Sequence, residues 1–200
     1  MQSALSKVFD SPVAPITVTH APPGAPRRRE AEAYIRSIFA SRYQADPAAF
    51  APNLVMLEQH QRIIAATGWR GAGAETLYLE RYLDAPIEAA MESLASEKVV
   101  RERIVEVGHL AADKPGGSIH VILTLGRHLH RLGFEWVVFT ATQELIGILT
   151  KLGLPMLALA KADPARLGDD AAAWGTYYNT QPIVVAGRIQ LGLDRMRRQA

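Results

Sequence analysis

A mixed α/β sheet with helices against its faces is the fold class that three features predict. These are a strand, helix, strand, helix, strand course over 103–160, two consecutive strand-like runs at 53–58 and 62–69, and an amphipathic helix before them. The chain has 200 residues, 48% of them hydrophobic, enough for one packed domain.

Five prolines between Ser11 and Pro26 mark an extended entry segment, 1–26, interrupted by one short strand at 16–19. Tyr34, Ile35, Ile38 and Phe39 recur at helical spacing over 29–43, and Pro47 and Pro52 end that helix. The polar residues Gln59, His60 and Gln61 join the next two runs into a hairpin whose second strand, apolar at almost every position, is central in the sheet. A Gly-rich break at 68–73 follows. Asp84 as N-cap and Pro86 in the first turn predict a helix to about Ser96. Strand 103–112 carries Glu106 and His109 among apolar residues. The next helix has an apolar stripe of Ile119, Ile122, Leu123, Gly126 and Leu129, and Gly133 closes it. Strand 134–141, helix 142–152 and strand 155–160 complete the course, and a final strand follows at 183–186. The division is a single domain over 27–190 with a basic tail, 191–200.

Twenty-two Lys and Arg face 20 Asp and Glu, and six of the cations lie in two runs, 27–29 and 195–198, read as solvated tails. The remainder is acidic, which excludes a molecule-wide basic field for nucleic acid. With no cysteine, disulfide frameworks, thiolate nucleophiles and cysteine-ligated metals are excluded. No apolar run approaches the length of a membrane span, and the start has no signal-peptide pattern, so a cytoplasmic protein is expected. His120, His128 and His130 form no i, i+4 pair, and no metal site is expected.

Glu106 demands explanation, because a charged acid inside an apolar strand must be paired, hydrogen-bonded or facing a cleft. It is a general base in a cleft, or a structural partner of Arg70, Arg101 or Arg103. His109, three residues on, faces the opposite side of a regular strand and joins Glu106 only through a bulge. The turn of Asp113, Lys114, Pro115, Gly116, Gly117 and Ser118 before a helix start is either a phosphate cradle or a simple strand-to-helix turn. Trp174, Tyr177 and Tyr178 either plug the core or line a cleft with Asn179.

The course over 118–160 resembles the acyl-CoA-binding half of the GNAT acyltransferase superfamily. Gly68-Trp69-Arg70 and Glu106-Val107-Gly108-His109-Leu110-Ala111 resemble the G-x-x-R and E-x-x-R-x-A strings of acyl-homoserine-lactone synthases and N-acyl amino acid synthases. Through the run from Tyr78 to Asp84, the run from Glu106 to Ala111, Phe139-Thr140-Ala141-Thr142 and Trp174-Gly175-Thr176-Tyr177-Tyr178, the sequence is similar to the thermostable hemolysin family, from about Ile35 to Ile189. There are departures. Asp113 stands where the superfamily's phosphate turn begins with Arg or Gln, Leu149 where its second-helix tyrosine stands, and His109 where the synthases have arginine.

The resemblance implies a GNAT-like domain that transfers an acyl group from acyl-CoA, or from acyl-phosphopantetheine on an acyl carrier protein, to a small amine such as an amino acid. It implies Glu106 as base, Tyr177 or Tyr178 as proton donor to the thiolate, and backbone near Leu110, Ala111 and Ala112 on the thioester carbonyl. Gly116, Gly117 and Ser118 then hold the phosphate, Arg70 holds an acceptor carboxylate, and His109 and Thr140 line the substrate side. The alternative is a non-enzymatic membrane-active or partner-binding protein on the same scaffold.

Overall fold

The computed structural model describes residues 15–112 and 119–198. Seven strands form one sheet: β1 (Thr17–Ala21), β2 (Asn53–Gln59), β3 (Arg62–Gly71), β4 (Ile104–Ala112), β5 (Trp136–Ala141), β6 (Leu157–Lys161) and β7 (Ile183–Arg188). Five helices accompany them: α1 (Arg28–Tyr43), α2 (Ile87–Ala95), α3 (Ile119–Arg131), α4 (Gln143–Lys151) and α5 (Ile189–Arg197). The strand order is β1-β2-β3-β4-β5-β7-β6, antiparallel throughout except for the parallel pair β4–β5.

The β2–β3 hairpin turns through His60 and Gln61, both at positive φ, and β3 lies between β2 and β4 as the central strand expected. Thr142 caps α4 by accepting a hydrogen bond from the Leu145 N–H at 3.3 Å. Asp84 does not cap α2. Pro86 takes that place, and the Asp84 carboxylate pairs with Arg166 instead. Strand β6 begins two residues later than expected, at Leu157.

Alternation along the strands divides the core. Ile104 of β4, Trp136 and Val138 of β5, and Val184 and Ala186 of β7 pack with Ile87 and Met91 of α2 on one face. Helix α1 packs on the same side over β2 and β3, through Ala31, Ile35 and Phe39 against Leu54, Met56 and Ala66. On the opposite face Val105 and Val107 meet Val121, Leu125 and Leu129 of α3 and Ile189 and Leu193 of α5. The buried stripe of α3 is therefore Val121, Leu125 and Leu129, and each such side chain contributes about 1.5–3 kcal/mol.

Two basic segments are not free tails. Residues 191–197 belong to α5, because Ile189 and Leu193 fall on one helical stripe and bury. Arg27 pairs with Glu30 and Glu58, and Arg28 pairs with Glu32 while donating to the carbonyls of Ala21, Ala51 and Pro52. These bonds tie the start of α1 to the sheet edge.

The segment carrying the aromatic cluster is anchored by a backbone crossing. The Thr176 N–H donates to the Tyr43 carbonyl at 2.7 Å, and the Asp46 N–H donates to the Ala173 carbonyl at 2.8 Å. Between them Gly175 sits at φ 51°, where a Cβ would lie 2.2 Å from the Tyr43 oxygen and 2.5 Å from that of Gln44. The atoms in the way are backbone and leave no room to yield. Gly175→Ala is expected to cost more than about 2 kcal/mol, read as a fall in Tm of at least about 5 °C in a thermal melt.

Candidate active site

The site is built around an irregularity in β4. Residues 104–108 alternate regularly against β3, with Glu106 opposite Arg70 and Gly108 opposite Gly68, but Ala111 then stands opposite Ala66. Two residues, His109 and Leu110, therefore oppose Thr67 alone, which is a β-bulge. His109 takes φ 54°, and the Thr67 hydroxyl donates to the Gly108 carbonyl at 2.8 Å beside it. The bulge reverses the parity of the strand. Val105 and Val107 share one face, whereas Ala112 returns to that face and Ala111 faces α1. It brings the His109 ring against Trp174, nearly parallel at 5.5 Å, and against Phe50 at 5.4 Å and Phe39 at 6.0 Å.

A second irregularity opens the sheet. Strands β4 and β5 pair only at Ile104–Trp136, Val105–Val137 and Glu106–Val138, although β4 continues to Ala112 and β5 to Ala141. Beyond Glu106 the two part, and a cavity of about 250 Å³ occupies the opening. On one side its walls are Phe39, Tyr43, Tyr78, Trp174, Tyr177 and Tyr178, and on the other Leu125, Gly126, Leu129, Leu154, Gly192 and Leu193. Glu106, Gly108, His109 and Leu110 line the waist between them with Phe139 and Thr140.

Glu106 is 6% exposed. Its Oε2 accepts the Tyr78 N–H at 2.7 Å and its Oε1 the Leu79 N–H at 3.1 Å, both at the start of a 3-10 turn over Tyr78–Tyr82. That turn is held by Glu80, which accepts from the N–H groups of Leu77 and Ile87 and pairs with Arg101. Arg70 approaches Glu106 at 3.4 Å and Glu75 at 3.1 Å. Burial pushes the Glu106 carboxyl up to about 7, against the opposing pull of Arg70 and the two N–H donors. Arg101 and Arg103 serve elsewhere, Arg101 on Glu80 and Glu88 and Arg103 on Glu135.

His109 is driven the other way, down to about 4, first by burial and then by Arg70, so the ring is neutral at pH 7. Both of its nitrogens are buried without a hydrogen-bond partner. The Tyr177 hydroxyl donates to Thr140 Oγ1 at 3.2 Å, and burial pushes its pKa up. Tyr178 shares a 2.5 Å hydrogen bond with the Tyr82 hydroxyl, and burial raises it to about 12. Trp174 donates its indole N–H to the Tyr78 hydroxyl at 3.2 Å.

The structure thus gathers Glu106, His109, Leu110, Ala112, Arg70, Thr140, Tyr177 and Tyr178 around one cavity, while the Ala111 side chain packs in the core beneath α1. Gly116, Gly117 and Ser118 lie outside the described residues. Sequence reasoning missed Arg42, whose guanidinium donates to the Ala112 carbonyl at 2.7 Å, and Glu75, which holds Arg70. A basic residue in the last turn of α1 was the available signal for the first. The His128 ring lies 4.6 Å from that of His20 on β1. Among the described residues no group of three or more His, Asp or Glu side chains is placed to hold a metal, and no helix is long and apolar enough to cross a membrane.

A sheet of this order, parted between its one parallel pair over a cavity, has the fold of GNAT-like acyltransferases, and solved structures share it. An N-acyl amino acid synthase, FeeM, from uncultured soil microbes is 13% identical, with a TM-score of 0.59 over 90% of this chain and 94% of that one. The acyl-homoserine-lactone synthase LasI is 9% identical, with a TM-score of 0.57 over 90% and 95%. A CoA-dependent acyl-homoserine lactone synthase, BjaI, seen with SAM and isopentyl-CoA, is 8% identical, with a TM-score of 0.57 over 92% and 89%. No curated protein matches by sequence. The chain belongs to the thermostable hemolysin family, whose family model matches residues 21–193.

The two shifted groups act on stability in opposite senses. Glu106 prefers its proton in the folded state, so its contribution falls as pH rises from about 4.5 to about 7. His109 rejects its proton in the folded state, so its contribution falls as pH drops from 6.5 to about 4. Glu106→Gln removes only the first. Its Tm relative to the wild type is expected to climb between pH 4.5 and 7.5 by about 6–12 °C, corresponding to roughly 3 kcal/mol, in paired thermal melts.

Proposed function

We propose that the chain is an N-acyltransferase working in the cytoplasm, which moves an acyl group from a pantetheine thioester, carried by coenzyme A or by an acyl carrier protein, to a small amine. The observation that carries this reading is Glu106. It is a buried carboxylate with a pKa of about 7, at the waist of a cavity that joins an aromatic chamber to an apolar one. The activities of the similar structures, N-acyl amino acid synthesis by FeeM and CoA-dependent acyl-homoserine lactone synthesis by BjaI, support it.

In this reading the thioester lies in the gap between β4 and β5, with its carbonyl on backbone N–H groups near Leu110 and Ala112 and its phosphate at Gly116, Gly117 and Ser118. The amine enters from the aromatic side. Its nitrogen attacks the carbonyl carbon, one N–H proton passes to Glu106, and collapse of the oxyanion breaks the C–S bond. The thiolate, of ordinary pKa about 8.5, then takes the proton from Glu106, which is the stronger acid. Tyr178 at about 12 is too weak an acid to supply it, so Tyr177 and Tyr178 serve as hydrogen-bond donors to the sulfur and keep their protons.

The acyl chain runs through the gap into the chamber between α3 and α5, where Gly126 and Gly192 leave the wall open. A Cβ at Gly126 would meet Leu193 at 3.5 Å, an ordinary contact, so a larger side chain extends into the chamber without breaking the helix.

Two outcomes test the proposal. The kcat/KM for acyl transfer is expected to rise with pH to a plateau above an apparent pKa of about 7, and Glu106→Gln is expected to lower it by about 100-fold or more without weakening donor binding. Equal turnover of the variant removes Glu106 from the chemistry. Gly126→Leu is expected to reduce kcat/KM for long-chain acyl donors by about tenfold while sparing acetyl and butyryl donors, measured across a chain-length series.

A further inference from the structure

The acceptor side of the cavity has a composition unlike a site for a carboxylate. Its wall is a run of electron-rich rings in mutual contact: Tyr43 and Tyr177 at 5.2 Å, Trp174 and Tyr177 at 5.5 Å, Tyr177 and Tyr178 at 5.3 Å, and Tyr78 and Trp174 at 6.1 Å. Glu106 lies at one end of this wall, held at Tyr78, and His109 stacks on Trp174 within it.

Each cation on the cavity lining among the described residues already has a partner. Arg70 is shared between Glu75 and Glu106, a group with more negative than positive charge whenever Glu106 is ionised. Arg188 pairs with Glu97 and covers Trp136. Arg42 holds the Ala112 carbonyl, six residues along the bulged strand β4 from Glu106, roughly 17 Å at the rise of a strand. The imidazole of His109 is neutral at pH 7, and neither of its buried nitrogens has a partner.

From this arrangement we infer that the acceptor is a primary amine without a carboxylate, an ammonium group on an aromatic or apolar body, and that His109 and the Glu75–Arg70 pair set that preference. The inference rests on the acyl-transfer reading and narrows its acceptor. A carboxylate next to the amine would enter beside Glu106 with no unpaired cation to receive it, and would be repelled. An ammonium is drawn by Glu106 and by the faces of Trp174 and the tyrosines. The neutral imidazole accepts one N–H of the ammonium and removes no charge from the site. Overall the ammonium loses two protons. One goes to solvent as the amine becomes a nucleophile, and the other passes through Glu106 to the departing thiolate, leaving amide and thiol.

The test uses a pair of probes that differ only in the carboxylate, phenethylamine and phenylalanine, titrated calorimetrically into the intact protein. The wild type is expected to bind phenethylamine at least about tenfold more tightly. Glu75 is an exposed partner, so Glu75→Gln is expected to fold normally and release Arg70, narrowing that ratio by about fivefold or more. His109→Arg is expected to reverse the order. Equal or tighter binding of phenylalanine by the wild type overturns the inference, as does failure of phenethylamine to bind at about 10 mM, or a ratio unmoved by Glu75→Gln. The parent reading is tested separately in the same samples. If phenethylamine binds preferentially but no acylated product forms from long-chain acyl-CoA or acylated carrier protein, acyl transfer fails while the amine-selective site stands.

Discussion

Burying one carboxylate organises the middle of this protein. The side chain of Glu106 enters the apolar face of β4 and stays there only because the first two N–H groups of the 3-10 turn at Tyr78 converge on it and Arg70 reaches across from β3. Those donors are in place because Glu80 and Arg101 hold the turn from outside. Strand, turn and guanidinium therefore form one unit. Removing the Arg101–Glu80 contact would act on the site without touching the cavity. The group that results is neither free nor fully neutralised: its proton affinity lies close to neutral pH, which suits a base that must release its proton again.

The position of Glu106 also coincides with the last rung joining β4 to β5. Up to that point the sheet is continuous, and beyond it, among the described residues, β4 has a strand partner on one side only. The bulge at His109 falls in the same stretch, so the strand turns a new set of side chains toward the aromatic wall where the sheet opens. Close packing of Trp174 on His109 and Tyr78, with the Gly175 crossing beneath α1, fixes that wall.

What the sequence makes legible is what local rules decide. The amphipathic spacing of α1 and the apolar runs of β2, β3 and β5 are set by residues near one another, and Glu106 is conspicuous because an acid is costly among Ile104, Val105 and Val107. The family strings add the GNAT-like scaffold. The remainder depends on partners distant in sequence. The His109 bulge requires Thr67 of the neighbouring strand, and the engagement of Arg70 by Glu75 follows from how a Gly-rich break folds back. Helix α5 was hidden because Ile189 and Leu193, spaced ahead of a run of arginines, read as a tail until α3 supplies a surface for them. Asp84 lost its capping role to a pairing with Arg166, 82 residues away.

The three rungs between β4 and β5 have a structural meaning as well. Four strands over Thr17–Ala112 form one antiparallel meander, three over Trp136–Arg188 form another sheet segment, and Ile104 to Glu106 are the residues of β4 hydrogen-bonded across the seam. The sheet is thus two segments zipped along a short line, with helix packing, the Tyr43–Thr176 and Asp46–Ala173 backbone bonds and the Tyr82–Tyr178 and Tyr78–Trp174 contacts as the remaining links. A molecule lodged in the seam touches both halves at once and so acts as a clasp between them.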